Sequence, residues 1–149
     1  MPMRLILALI IILPGIFLYG CGESVDRQAK KTELKVKPVR VSMVTGLKPE
    51  KMSYYKELHA KAWDGVLMKL RECNIRDYSI NLHKIDGKYF LFSYYEYIGN
   101  DYAGDMKRIA EDSVTQRWWR ETDPCQIPLP EAAAQNKIWS EMEEVFYAE

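Results

Sequence analysis

"DYSINLHKIDGKYFLFSYYEY", residues 77–97, decides how the chain folds. Its first third alternates, with Tyr78, Ile80 and Leu82 on one side and His83 on the other, which is the period of a half-buried strand. Asp86-Gly87 then interrupts the pattern and supplies a hairpin turn. Residues 89–97, "YFLFSYYEY", follow as a second strand with apolar or aromatic side chains at both parities. Such a strand is expected to be covered on both faces.

The pattern extends outward from this hairpin. In "VRVSMV", residues 39–44, Val39, Val41 and Met43 alternate with Arg40 and Ser42 and predict a first strand. Gly46 and Pro49 mark a turn and a helix start. Met52, Tyr55, His59, Ala62, Trp63, Val66 and Leu70 recur at three- and four-residue steps, which predicts one long helix within 50–73. After the hairpin, "NDYAGDMKRIAED" predicts a second helix capped by Asn100 or Asp101, and a short third helix holds Trp118 and Trp119. Pro124, Pro128 and Pro130 break the chain into a loop, and "EMEEVFYAE" predicts a last strand through Val145, Phe146 and Tyr147. Strand, helix, strand, strand, helix, strand is the ferredoxin-like split βαβ order, an α+β fold. Helices take one sheet face. The other is apolar with no element left to cover it, so a second copy of the chain is expected there.

The chain has 149 residues, enough for one domain, and 48% of them are hydrophobic, which supports a packed core. Lys plus Arg equals Asp plus Glu at 21 each, and no basic tract occurs in the domain, so a nucleic-acid partner is not expected. Residues 1–21, "MPMRLILALIIILPGIFLYGC", read as a signal peptide: Arg4, then an apolar run too short for the roughly 20 residues of a spanning helix. "LYGC", Leu18–Cys21, resembles the bacterial lipoprotein signal and makes Cys21 the expected lipidation site. An uncleaved anchor is the alternative. Either way the expectation is an exported, membrane-tethered protein of the bacterial envelope. Residues 22–37 are polar and charged and read as a flexible tether, leaving 38–149 as the domain. Cys73 and Cys125 show no disulfide framework or metal spacing, and free packed thiols are expected, with a single bridge between them as the alternative.

The glycines form no phosphate-binding loop, and with only His59 and His83 and no CxxC or HxxxH, no metal or cofactor is expected. What remains is proton transfer or plain binding. His59 lies one turn after Tyr55 and one turn before Trp63, so a phenol, an imidazole and an indole form a row on the inward face of the predicted helix. Imidazole gives and takes a proton near neutrality without tuning. A histidine so placed is otherwise a packing residue, and Tyr78 by itself reads as core. His83 points away from Tyr78, Ile80 and Leu82 and is expected in solvent. Trp118 and Trp119 differ by about 100° in direction on a helix. One of them is expected to anchor the core and the other to line a pocket.

Four segments in this order resemble the L-rhamnose mutarotase family: "YKELHAKAW" (55–63), "RDYSINL" (76–82), "VTQRWWRETDPCQ" (114–126) and "MEEVFY" (142–147). The resemblance covers the domain from residue 38 onward. It implies ferredoxin-like subunits paired sheet to sheet as a dimeric α/β barrel, and cofactor-free interconversion of the α and β anomers of L-rhamnose or a related 6-deoxyhexose. It further implies His59 as the proton donor, and Tyr55, Tyr78, Trp118 and Trp119 as sugar contacts. The second acid–base group is left between Asp123 and a tyrosine hydroxyl. Two features depart from the family pattern. Asp64 stands where a proline commonly follows the helix tryptophan, and the exported N-terminus is foreign to the family's familiar members. Two other readings compete, a non-catalytic sugar-binding lipoprotein and a monooxygenase of the dimeric α+β barrel type.

Overall fold

The computed structural model describes residues 37–148. The expected signal segment with Cys21, and all of the tether except Lys37, lie outside the described residues. One antiparallel sheet is built from β1 (Val39–Leu47), β2 (Ile75–Ile85), β3 (Lys88–Tyr97), β4 (Gln126–Ile127) and β5 (Ser140–Met142). Its order is β2-β3-β1-β4, with β5 also pairing with β1. β3 lies antiparallel between β1 and β2, so those two strands run in the same direction. Five α-helical segments accompany the sheet: α1 (Met52–Ala60), α2 (Asp64–Glu72), α3 (Tyr102–Glu111), α4 (Ser113–Thr122) and the single turn α5 (Pro130–Ala133). The domain is α+β.

The central hairpin forms for the reason its sequence suggests. Ile85 pairs with Lys88 across a two-residue turn in which Asp86 and Gly87 both take positive φ, 48° and 80°. That conformation matches the twist of the flanking strands. Along β3 the parity divides the molecule. Leu91, Ser93, Tyr95 and Tyr97 are buried on the helical side, where Tyr95 and Tyr97 pack with Cys73, Ile75 and Ile109. Phe90, Phe92, Tyr94 and Glu96 are half-buried on the opposite face. Between Arg76 and Ser79 the β2–β3 register shifts, a bulge in which Asp77 takes φ 49°. A bulge re-aims side chains, and Tyr78, inside it, sets its ring edge-on to Tyr95 at 5.6 Å.

Two predicted elements differ. The single helix of 50–73 is a 3₁₀ turn at 49–51 followed by α1 and α2, with a break at 61–63. Lys61 leaves helical geometry at φ −130°, ψ 47°, and Trp63 is extended, its carbonyl accepting from Val66 and Leu67 to start α2. Asp64 is then the first residue of α2, a position that suits a proline or an acid equally. Apolar spacing survives the break, so periodicity alone does not reveal it. The last strand is Ser140–Met142, not Val145–Tyr147, because pairing to β1 ends at Ser42↔Met142. Beyond it Val145 and Phe146 are 88% and 82% exposed. The tail is held instead by Arg40, which donates to both carboxylate oxygens of Glu144 at 2.6 and 2.7 Å and covers the Tyr147 ring at 3.4 Å.

β1 anchors the segment that follows α4. A Cβ at Gly46 would stand 2.9 Å from the Ile127 carbonyl oxygen, so glycine is what lets β4 approach. Thr45, fully buried, donates its hydroxyl to the Ile138 carbonyl at 2.8 Å, with Ile127 O at 3.3 Å. Replacing Thr45 by Val leaves these buried carbonyls short of a donor, a loss of about 1–3 kcal/mol. Urea unfolding of Thr45→Val beside Thr45→Ser measures it; equal midpoints would show that the hydroxyl anchors nothing.

Candidate active site

Helix α1 carries Tyr55 on its buried face, 4% exposed, and His59 one turn later. The imidazole stacks on the phenol with ring centroids 4.1 Å apart and 30° between planes. His59 Nδ1 lies 2.9 Å from the Tyr55 carbonyl oxygen. A carbonyl only accepts, so Nδ1 carries a proton, and the neutral ring keeps its lone pair on Nε2. Burial pushes the His59 pKa below the ordinary imidazole value, an effect partly offset by the bond to Tyr55. Near neutrality the ring is therefore uncharged and a proton acceptor at Nε2.

Helix α4 supplies the facing wall. Asp112 caps it, accepting from the Thr115 amide at 2.8 Å and the Thr115 hydroxyl at 2.9 Å. Trp118, 7% exposed, meets His59 edge-on at 5.1 Å, and Trp63 meets Trp118 in the same manner at 5.4 Å. Trp63 therefore joins the site through Trp118 and stands outside the stacked row. Trp118 both packs the core and lines the cavity, while Trp119 is 37% exposed at the rim. Arg117 lies over the Trp63 ring at 5.9 Å, an outer contact of the same cluster. His83 is exposed and takes no part.

Two adjoining cavities of about 650 and 480 Å³ share Tyr55, His59, Tyr78, Ile80 and Trp118. The larger is mostly aliphatic, walled by Leu47, Val66, Leu70, Leu82 and Leu91 among others. The smaller adds Trp119, Asp123, Gln126, Lys137, Trp139 and Glu141. Polyhydroxylated ligands need fixed polar partners as well as apolar cover; the larger cavity sets Lys56, Ser79 and Asn81 beside its aliphatic wall, and the smaller sets Asp123, Gln126, Lys137 and Glu141 beside its tryptophans. Tyr78, 42% exposed, stands on the shared wall, and desolvation of its hydroxyl pushes that group up to about 12. Burial raises the Asp123 carboxyl above the usual range, against an opposing bond from Thr122. It raises the Tyr55 phenol as well.

All five residues singled out in the domain thus line one connected space. Sequence reading missed Gln126, Lys137, Trp139 and Glu141. Gln126 sat inside a quoted motif: Pro124 turns the chain from α4 through a 3₁₀ turn (Asp123–Cys125) into β4, which presents residues 123 and 126 to the same cavity. The other three lie near the short β5, where no period marks them. Both Cys73 and Cys125 are free and buried. Among the described residues no group of three or more His, Cys, Asp or Glu could hold a metal ion.

Residues 40–148 match the model of the L-rhamnose mutarotase family. An L-rhamnose mutarotase of Lactiplantibacillus plantarum is 26% identical over 110 residues, 73% of this chain and 97% of that relative. The crystal structure of an L-rhamnose mutarotase from Formosa agariphila aligns with a TM-score of 0.55 at 23% identity, over 74% of this chain and 99% of that one, a likeness of fold. These matches correct the expectation of an exported envelope lipoprotein. Both relatives are used almost end to end by the domain, so neither has a counterpart of residues 1–21. Among the described residues, no helix is long and apolar enough to cross a membrane. The family match takes in the Tyr55–His59 row, the tryptophan helix and the strands between them, and the chain belongs to the L-rhamnose mutarotase family.

Proposed function

We propose that this protein interconverts the α and β anomers of L-rhamnose, or of a related 6-deoxyhexose such as L-fucose, by acid–base proton transfer without a cofactor. One observation carries the reading. A neutral imidazole with an unspent Nε2 lone pair sits in a cavity walled by indole and phenol rings. Ring opening removes a proton from the anomeric hydroxyl and delivers one to the ring oxygen. After the aldehyde rotates, closure reverses both transfers. His59 Nε2 takes the first proton and, as imidazolium, returns it to the carbonyl oxygen on closure. Asp123 is the partner at the ring oxygen. Burial lowers the His59 pKa and raises that of Asp123, so the two approach a common value. A proton then passes in either direction at little cost, as a reversible isomerisation requires. Tyr78, Trp118 and Trp119 cover the C–H face and methyl group of the sugar, and Tyr55 contacts a hydroxyl.

We also read the domain as a ferredoxin-like half of a dimeric α/β barrel. The strand order supports this, as does the sheet face that carries half-buried Val44, Phe90, Phe92 and Tyr94 opposite the helices.

Exchange NMR of L-rhamnose tests the activity. His59→Ala is expected to lower the protein-catalysed exchange by about 10²–10⁴-fold while sugar still quenches tryptophan fluorescence. Exchange at the wild-type rate in the variant would remove His59 from the chemistry. Because burial depresses the His59 pKa, its basic form persists below the ordinary value of about 6.5. The acid limb of kcat/KM should accordingly fall below pH 6.5, and a limb above that value contradicts the assignment. Asp123→Asn should lower kcat with sugar binding retained; unchanged kcat would move the acid to a tyrosine hydroxyl.

A further inference from the structure

Gln126 is buried, 5% exposed, and lines the polar cavity with no assigned role. Its backbone is fixed by pairing with Leu47 of β1. Its side-chain Nε2 donates to the Tyr55 hydroxyl at 3.3 Å. The other end of the amide, Oε1, has no hydrogen-bond partner. Reversing the amide would leave two N–H donors unspent in its place, so one end is unsatisfied in either orientation. A buried polar group without a partner is costly, and an apolar side chain of the same length would avoid that cost.

Tyr55 is left in a complementary condition. Its hydroxyl oxygen accepts from Gln126, and its own proton has no acceptor among the described residues. The pair therefore holds one unspent acceptor, Oε1, and one unspent donor, the phenolic O–H, in two buried side chains that line the cavity. A hydroxyl group both donates and accepts. One sugar hydroxyl satisfies both residues at once, and a C–H or methyl group at that place satisfies neither.

We infer that Gln126 and Tyr55 together read one non-anomeric ring hydroxyl of the sugar, with Gln126 as a specificity-determining binding residue. The inference rests on the sugar-binding reading of this cavity but not on turnover. A site built to bond a hydroxyl discriminates strongly against an analogue without it, because its own polar groups are then left unpaired. The anomeric centre is handled by His59, so the selected hydroxyl lies elsewhere on the ring.

The test titrates wild type, Gln126→Met and Tyr55→Phe with L-rhamnose and with its monodeoxy analogues, each lacking one ring hydroxyl. Tryptophan fluorescence reads binding, and exchange NMR reads KM and kcat. One analogue should bind wild type at least about tenfold more weakly than L-rhamnose. Gln126→Met should weaken L-rhamnose by a similar factor, raising KM more than it lowers kcat, with no further loss for that one analogue. Tyr55→Phe should single out the same hydroxyl, and it carries the test if the methionine variant does not fold. Equal weakening for every sugar would mark a packing role and overturn the inference, as would wild-type affinity in both variants. Quenching without faster exchange in the wild type would sink the mutarotase reading alone and leave the hydroxyl test standing. No quenching by any sugar of the panel would sink both.

Discussion

Strand β1 is paired along all nine residues with β3 on one edge, while its other edge is shared by two short strands, β4 and β5, both antiparallel to it. This double pairing is the constraint on which the rest depends. Thr45, Gly46 and Leu47 are buried where the arrangement is tightest, and a single hydroxyl there binds carbonyls from both incoming segments. Through those contacts the sheet fixes the loop that carries Gln126 and Trp139. That loop walls the cavity opposite α1. The site thus stands beside a helix packed on the sheet and a segment bonded to it, and the Gln126–Tyr55 hydrogen bond and shared apolar cluster join the two.

The chemistry follows from where burial falls. The Tyr55 carbonyl, one turn before His59, selects the ring tautomer by simple valence, since a carbonyl has no proton to give. The same burial that makes a cation unwelcome on His59 makes an anion unwelcome on Asp123. His59 and Asp123 line the same cavity, and burial there disfavours the charged form of each. Aromatic rings supply much of the remaining surface around His59, which suits a deoxysugar with one methyl group and several axial and equatorial C–H bonds.

Local chemistry made part of this legible. Asp86-Gly87 specifies its turn through φ alone, and alternation along β2 marks the strand before it, so the hairpin could be read directly, whereas the inward parity of β3 could not. The tryptophan helix was legible as a short third helix ahead of the Pro124 break, but its cap, Asp112, reads in the sequence as the end of the helix before it. What could not be read depended on contacts distant in sequence. The break at Lys61–Trp63 keeps the apolar period, and Val145–Phe146 carry strand-forming side chains although pairing with β1 stops at Met142 and leaves them exposed. Gln126 was invisible for a different reason. A glutamine after a proline turn looks like any loop residue until burial leaves one end of its amide without a partner.

The two free thiols divide between the two apolar clusters, Cys73 with Tyr95 and Tyr97, and Cys125 with Leu47, Tyr55 and Leu91. Each is sealed at 1% exposure, and burial raises the Cys125 thiol as well, so neither meets a solution reagent while its cluster stays closed. Among the described residues these two thiols are therefore reporters of opening. The rate at which each sulfur is alkylated counts how often that half of the interior parts from the sheet, and the half containing Cys125 is the one that holds Tyr55.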